Sequence, residues 1–390
     1  MFDVRAHFGK WILVGAMAAA PVGAEVIFEE NFDDQPDWTG GMHPHTKSSR
    51  FPPQDIIPEG WFAARHDPTW APSKGHPDRH EALEILSSNV DKARGGEGKS
   101  MVHWRDSYDP GWNRWNSESL LLKRFPGGYD ELYVEFWIRF SPEWTDFVSG
   151  RPSATSKVFR VYSSDETRPL EDTFQYFEGG VAGPNFLWDY SANSYGVRNR
   201  LSFSMGPHGY NLHTRTSDID GLPRSLVGTG DMSAGFYSDS RGMALGGKDP
   251  LITDKLNGGL IDDHVKSDGI VTHAQIFGSD WTKMAFYVRM NSAPGVKDGV
   301  AMQWIDDQRI FFNNNIPWVK VENNPELKMV KWNTVGFGGN DFFQIYPNEL
   351  RHEEWYSVDD IVVRTSIPSH LLDGSPELSP PEPPAQLKVE

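Results

Sequence analysis

The segment Glu131–Phe140 reads ELYVEFWIRF, and its alternation constrains the fold more than any other feature of the chain. Leu132, Val134, Phe136 and Ile138 fall on one side of an extended strand, and Tyr133, Glu135, Trp137 and Arg139 on the other. A period of two cannot supply the apolar stripe of a helix, which recurs every 3.6 residues. Trp281–Met290 behaves in the same way: Met284, Phe286, Val288 and Met290 share one face, while Lys283, Ala285, Tyr287 and Arg289 share the other. That pattern sets one face to a core and the other to water or a groove. Further segments rich in β-branched and aromatic residues are Val26–Phe32, Ser100–Trp104, Lys157–Tyr162, Arg200–Met205, Val300–Ile305, Asn333–Phe337 and Trp355–Arg364. Helix signals are nearly absent. Many short strands between Gly, Pro, Asn and Asp clusters predict an all-β antiparallel sandwich or barrel.

The chain contains no cysteine, so disulfides, thiolate metal sites and a cysteine nucleophile are excluded. At 390 residues it buries enough surface without covalent staples. Arg5 and Lys10 followed by the apolar run Trp11–Ala20 and by Pro21-Val22-Gly23-Ala24 read as an export signal cleaved after Ala24. The apolar run is shorter than the roughly 20 residues a bilayer span needs. Residues 1–24 are therefore expected to be a signal peptide, 25–365 a β domain, and 366–390 an extended Pro-rich tail, with SPELSPPEPP at Ser375–Pro384. A secreted protein of the bacterial periplasm or medium fits this pattern, and a monomer is expected.

Net charge is −17, which argues against nucleic acid and anionic membranes as partners. Fifteen Trp, 23 Phe and 12 Tyr are the compositional surplus. Such rings stack on the C–H faces of sugars, and they also fill β cores. Trp38–Pro77, Ser163–Asn199 and Gly221–Val271 lack periodicity and are expected to be long loops forming a cleft.

Four segments then resemble the jelly-roll polysaccharide lyases of the alginate and glucuronan lyase type, within the wider concanavalin A-like lectin and glucanase superfamily. Tyr133–Trp144 (YVEFWIRFSPEW) is followed by the Lys-bearing Ser156–Tyr162 (SKVFRVY). Tyr287–Gly299 (YVRMNSAPGVKDG) runs into Val300–Asp306 (VAMQWID). Thr334–Asn340 (TVGFGGN) and the closing segment Trp355–Val363 (WYSVDDIVV) complete the set. The closing segment keeps only Tyr356 where the lyases carry two closely spaced tyrosines, and the glucanase pattern E-x-D-x-x-E is absent. Retaining hydrolysis needs two carboxyls about 5–5.5 Å apart. The resemblance implies a concanavalin-like jelly roll, a polysaccharide partner, and β-elimination on a uronate polymer with no cofactor required for catalysis. It points to Lys157 and Tyr356 as catalytic.

Elimination requires a group that neutralises the uronate carboxylate, a base for the C5 proton and an acid for the departing oxygen. Arginine suits the first because it grips carboxylate with two parallel hydrogen bonds. If extended, Asn211–Arg215 (NLHTR) sets Asn211, His213 and Arg215 on one face, an amide, an imidazole and a guanidinium in a row. A solvated loop is the alternative. On a regular strand Lys157 and Arg160 would lie on opposite faces, so only one of them could line a cleft, with Arg160 held in reserve for substrate. Tyr287 and Arg289 face either a groove or water. Arg114, in WNRWNSESL, resembles a substrate-binding position of some alginate lyases, and an ion pair with Glu118 is its alternative. Glu30 in FEENFDD and Asp360 in SVDDIVV supply hard oxygens for a structural calcium between the first and last strands; acids on edge strands also serve solubility. The two other functions this fold could serve are non-catalytic carbohydrate binding or adhesion, and hydrolysis by dispersed carboxylates.

Overall fold

The computed structural model describes residues 24–43, 51–66, 71–77, 79–105, 118–145, 154–175, 181–192, 196–204, 210–211, 227–228, 231–235, 255, 273–319, 328–343 and 353–372. Along the chain the strands are β1 (Val26–Glu30), β2 (Trp38–Thr39), β3 (Ala63–His66), β4 (Leu83–Ile85), β5 (Met101–Arg105), β6 (Glu118–Tyr129), β7 (Glu131–Phe140), β8 (Ala154–Tyr162) and β9 (Asn185–Ala192). They continue as β10 (Gly196–Ser204), β11 (Tyr210–Asn211), β12 (Val227–Gly228), β13 (Asp231–Gly235), β14 (Thr282–Arg289), β15 (Gly299–Ile305), β16 (Gln308–Ile316), β17 (Trp332–Phe343) and β18 (Glu354–Arg364). Among the described residues, α-helix is confined to single turns, Pro142–Thr145 and His273–Ile276.

Two sheets form. The first runs β16-β15-β14-β7-β18-β5-β4-β2, with β1 also on β18; the second runs β12-β13-β10-β9-β8-β17-β6-β3, with β11 on β10. Each described pairing is antiparallel, as between β7 and β14, where Phe136 meets Met284 and Leu132 meets Val288. The expected antiparallel β-sandwich is the observed fold.

The sheets press their apolar faces together. Phe136 of the first sheet lies 5.9 Å from Phe286 within the same sheet, and 5.3 Å and 5.1 Å from Phe159 and Phe337 of the second. Trp144, Trp188, Trp318 and Trp332 are fully buried in the same cluster, so much of the aromatic surplus serves packing.

Two β-bulges shift side chains between faces. In β18, Tyr356 and Val358 point inward; a register shift between Asp359 and Val362, with Asp360 at φ 47°, then turns Ile361 and Val363 inward as well. Without the extra residue, Ile361 and Val363 would face outward. The second bulge lies in β8, between Lys157 and Phe159, where Val158 is the added residue.

The outer face of the first sheet does not open to a groove at β14. Tyr287 and Ala285 are buried there with Tyr133, Val300, Met302 and Trp304, beneath Ile367 and Leu371. The domain body therefore extends past 365 to the short turn Ser369–Leu371. Residues 1–23, within the expected signal peptide, and residues 373–390, which hold the expected Pro-rich tail, lie outside the described residues.

Candidate functional site

Charged side chains gather on the outer face of the second sheet, the face turned away from the first. Register defines this face. Arg160 pairs with Leu187, Tyr162 with Asn185 and Lys157 with Asp189, while Phe159 pairs with Trp188 and Val161 with Phe186 toward the core. The β8 bulge thus places Lys157 and Arg160 on one face, against the expectation from a regular strand. Across β17, Gly336 pairs with Arg160 and Gly338 with Leu120; on β6 and β3 the same face carries Glu118 and Arg65, which form an ion pair.

One end of this face is apolar. Leu120, Leu122, Tyr162, Phe174 and Ala182 form a small cluster under Phe51, Phe62 and Leu170. The other end holds Lys157, Arg160 and Asp189, all buried. The Arg160 guanidinium donates to the Gly338 carbonyl oxygen at 2.9 Å, which lays it along the β17 backbone.

Glycine makes that approach feasible. A Cβ on Gly339 would meet the Arg160 guanidinium and come within 2.9 Å of the Lys157 Cβ. Gly339 also sits at φ 151° and Gly338 at φ 93°, backbone regions that favour glycine. Gly339→Ala is expected to destabilise the fold by about 1–3 kcal/mol and to swing Arg160 off Gly338. Urea denaturation read beside a crystal structure of the variant checks both effects; an unmoved Arg160 would contradict the second.

Lys157 is the electrostatic centre of the face. It is 3% exposed. Burial pushes its amine down to about 7, and the Arg160 cation pushes the same way; Asp189 and Glu118 oppose the shift, and Arg65 adds a weaker push downward. An amine poised near neutrality can take or give a proton at working pH, which an ordinary lysine cannot.

No protein-family model matches the chain, and no curated protein matches it. Among solved structures, a mutant of alginate lyase Aly36B in complex with an alginate tetrasaccharide is similar at 10% identity, covering 88% of this chain and 98% of that one, with a TM-score of 0.39. The marine PL-14 alginate lyase from Aplysia kurodai is similar at 8% identity, covering 87% and 99%, with a TM-score of 0.39. A chain from work on endo-acting O-glycanases of the human gut microbiota is similar at 10% identity, covering 88% and 100%, with a TM-score of 0.35.

Of the residues singled out in the sequence, the structure brings together Lys157 and Arg160. Tyr356 lies elsewhere: it is sealed between the sheets, stacked on His103 at 4.8 Å and packed against Phe140 and Trp144. Its phenol is closed into the core, on the opposite side of the second sheet from Lys157 and Arg160. Tyr287 and Arg289 belong to the outer face of the first sheet, where the Tyr287 hydroxyl bonds Glu131 and Arg289 donates to the Asp298 carbonyl oxygen at 3.4 Å. Asn211 is placed only by backbone pairing with Phe203. His213, Arg215 and Arg114 lie outside the described residues.

The two proposed calcium ligands are engaged by protein donors. Glu30 accepts from the Phe32 amide at 2.7 Å, the Gln35 amide group at 2.7 Å and the Trp61 indole at 3.0 Å. Asp360 pairs with Arg94. Both line an open cavity of about 650 Å³ with Glu29, Asp34 and Glu59. Among the described residues, no group of three or more His, Asp or Glu is placed to hold a metal.

Asp189 and Arg65 were not singled out in the sequence. Asp189 lies within a stretch expected to be loop, because β9 (NFLWDYSA) is buried on both faces and shows no alternation. Arg65 sits in the four-residue strand β3, too short to carry a period.

Proposed function

We propose that this protein is a secreted polysaccharide lyase that cleaves a uronate-containing polymer by β-elimination. The observation that carries the reading is Lys157, its amine poised near pH 7, on one sheet face with Arg160. The chemistry follows from those two groups. Arg160, buried beside it and donating to the Gly338 carbonyl oxygen, supplies positive charge that steadies the charge developing as the C5 proton leaves. Neutral Lys157 takes that proton. The electron pair of the C5–H bond becomes the C4–C5 double bond, and the C4–O bond breaks. The ammonium formed on Lys157 returns its proton to the departing oxygen, so the lysine ends as it began.

The test is direct. The protein is incubated with alginate, glucuronan and related uronate polymers, and the ultraviolet absorbance of the unsaturated product is followed. A rise with at least one polymer is the expected result. No rise on any uronate polymer removes the reading.

A second reading is non-catalytic carbohydrate binding on the same face. The 3% exposure of Lys157 favours it, since a deeply buried cation can serve packing of charge rather than chemistry. Binding of a polymer without unsaturated product is its signature. New reducing ends without that product would indicate hydrolysis instead.

A further inference from the structure

Lys157 and Asp189 stand directly opposite each other on β8 and β9, on the outer face of the second sheet. Asp189 is fully buried, a position that charged side chains rarely occupy unless paired. The β8 bulge turns Arg160 to the same side, and Gly339 leaves no side chain between Arg160 and Lys157. Lys157 therefore shares its face with a carboxylate on the neighbouring strand and a guanidinium on its own.

We propose that Asp189 is the positioning residue of this site: its carboxylate holds the Lys157 amine at the floor of the face and opposes Arg160 in deciding when that amine carries a proton. The inference deepens the lyase reading and rests on it for its catalytic meaning, though not for the charge balance itself.

Other charged groups share in the balance. Glu118 of β6 favours the ammonium and Arg65 of β3 disfavours it, while their mutual ion pair blunts both. On β10, Arg198 stands opposite Asp189 in register. Asp189 is the carboxylate in direct register with Lys157, so its removal is expected to act more strongly than that of Glu118. An opposite charge at this range moves a titration by about one to three pH units.

The experiment measures the lysine rather than turnover. Folded protein is pulse-labelled with acetic anhydride across a pH series, and acylation of the peptide carrying Lys157 is quantified by mass spectrometry. In Asp189→Asn the midpoint of Lys157 labelling is expected to fall by about one pH unit or more, roughly a tenfold loss of proton affinity. Asp189→Glu, which keeps the charge, is expected to restore the midpoint toward wild type. A folded Asp189→Asn variant with an unmoved midpoint overturns the proposal. Should that variant not fold, Arg160→Gln serves: with Asp189 unopposed, the midpoint must rise, and an unchanged or lowered midpoint overturns the proposal equally. A shifted midpoint in a protein that yields no unsaturated product from any polymer upholds the role of Asp189 and sinks the lyase reading alone. Where product does form, the acid limb of kcat/KM must move to lower pH with the label midpoint in Asp189→Asn. A merely structural aspartate would not move that limb.

Discussion

Replacing Lys157 by methionine is expected to lower the rate of unsaturated product formation by about a hundred- to ten-thousandfold, the usual contribution of a positioned base. Methionine keeps the length and the apolar stem and removes only the amine. In the wild type the base must be neutral to accept a proton, so kcat/KM should rise as pH climbs through about 7 and then level off. The same group leaves a mark on stability, and the sign is fixed. Burial depresses the folded-state amine from 10.5 to about 7, so between those values the unfolded chain holds a proton that the folded chain has released. Wild-type stability therefore increases with pH across that window and is flat below it. Lys157→Met removes that slope. Urea denaturation at a series of pH values reads the stability effect, and ultraviolet product assays read the catalytic one. A variant with full activity would exclude Lys157 as the base whatever its stability.

Glu354→Leu is expected to destabilise the protein by about 3–5 kcal/mol, because it strands a fully buried guanidinium. Arg105 of β5 and Glu354 of β18 form an ion pair in which neither side chain is exposed. Arg105 also reaches the Ser156 hydroxyl at 3.3 Å and lies 3.8 Å over the Trp144 ring. It thereby joins the first sheet to the residue beside Lys157. Nearby His103 is held neutral, pushed down to about 3 by burial and by the Arg105 cation. The double change Arg105→Met with Glu354→Leu removes both charges and should recover most of the loss, since an apolar pair of similar volume replaces the ions without leaving either unpaired. Urea denaturation of the wild type, both single variants and the double variant closes the cycle. A single variant that loses less than about 1 kcal/mol would show that the pair is not held as the structure places it.

How far the sequence reaches is clearest strand by strand. The alternation in Glu131–Phe140 coincides with the bounds of β7, and that in Trp281–Met290 lies within a residue of β14 at each end, because each strand buries one face completely in alternation. β6 (ESLLLKRFPGGY) carries no legible period: Leu120 and Leu122 pack outward under the loop residues while Leu121 packs inward, which erases it. β9 is hidden for the same reason. The polar face of β14 was expected to meet water or a groove, and the C-terminal turn covers it instead, a contact between segments some 80 residues apart that no local pattern encodes.

The candidate site divides in the same way. The residue types were legible, since a lysine and an arginine in SKVFRVY are plain in the sequence. Their meeting on one face was not, because a single inserted residue, Val158, reverses the parity of every position before it, and a bulge has no period to betray it. The fate of Tyr356 and the partnership of Asp189 with Lys157 were likewise invisible, for each depends on which strand lies alongside. Short-range alternation by itself determined that this chain makes many short strands for an all-β sandwich or barrel, and the motif resemblance narrowed that to a jelly roll. The choice of which charges become neighbours was left to tertiary structure, where register and bulges bring strands distant in sequence side by side and where burial, rather than residue type, sets the proton affinity of a lysine.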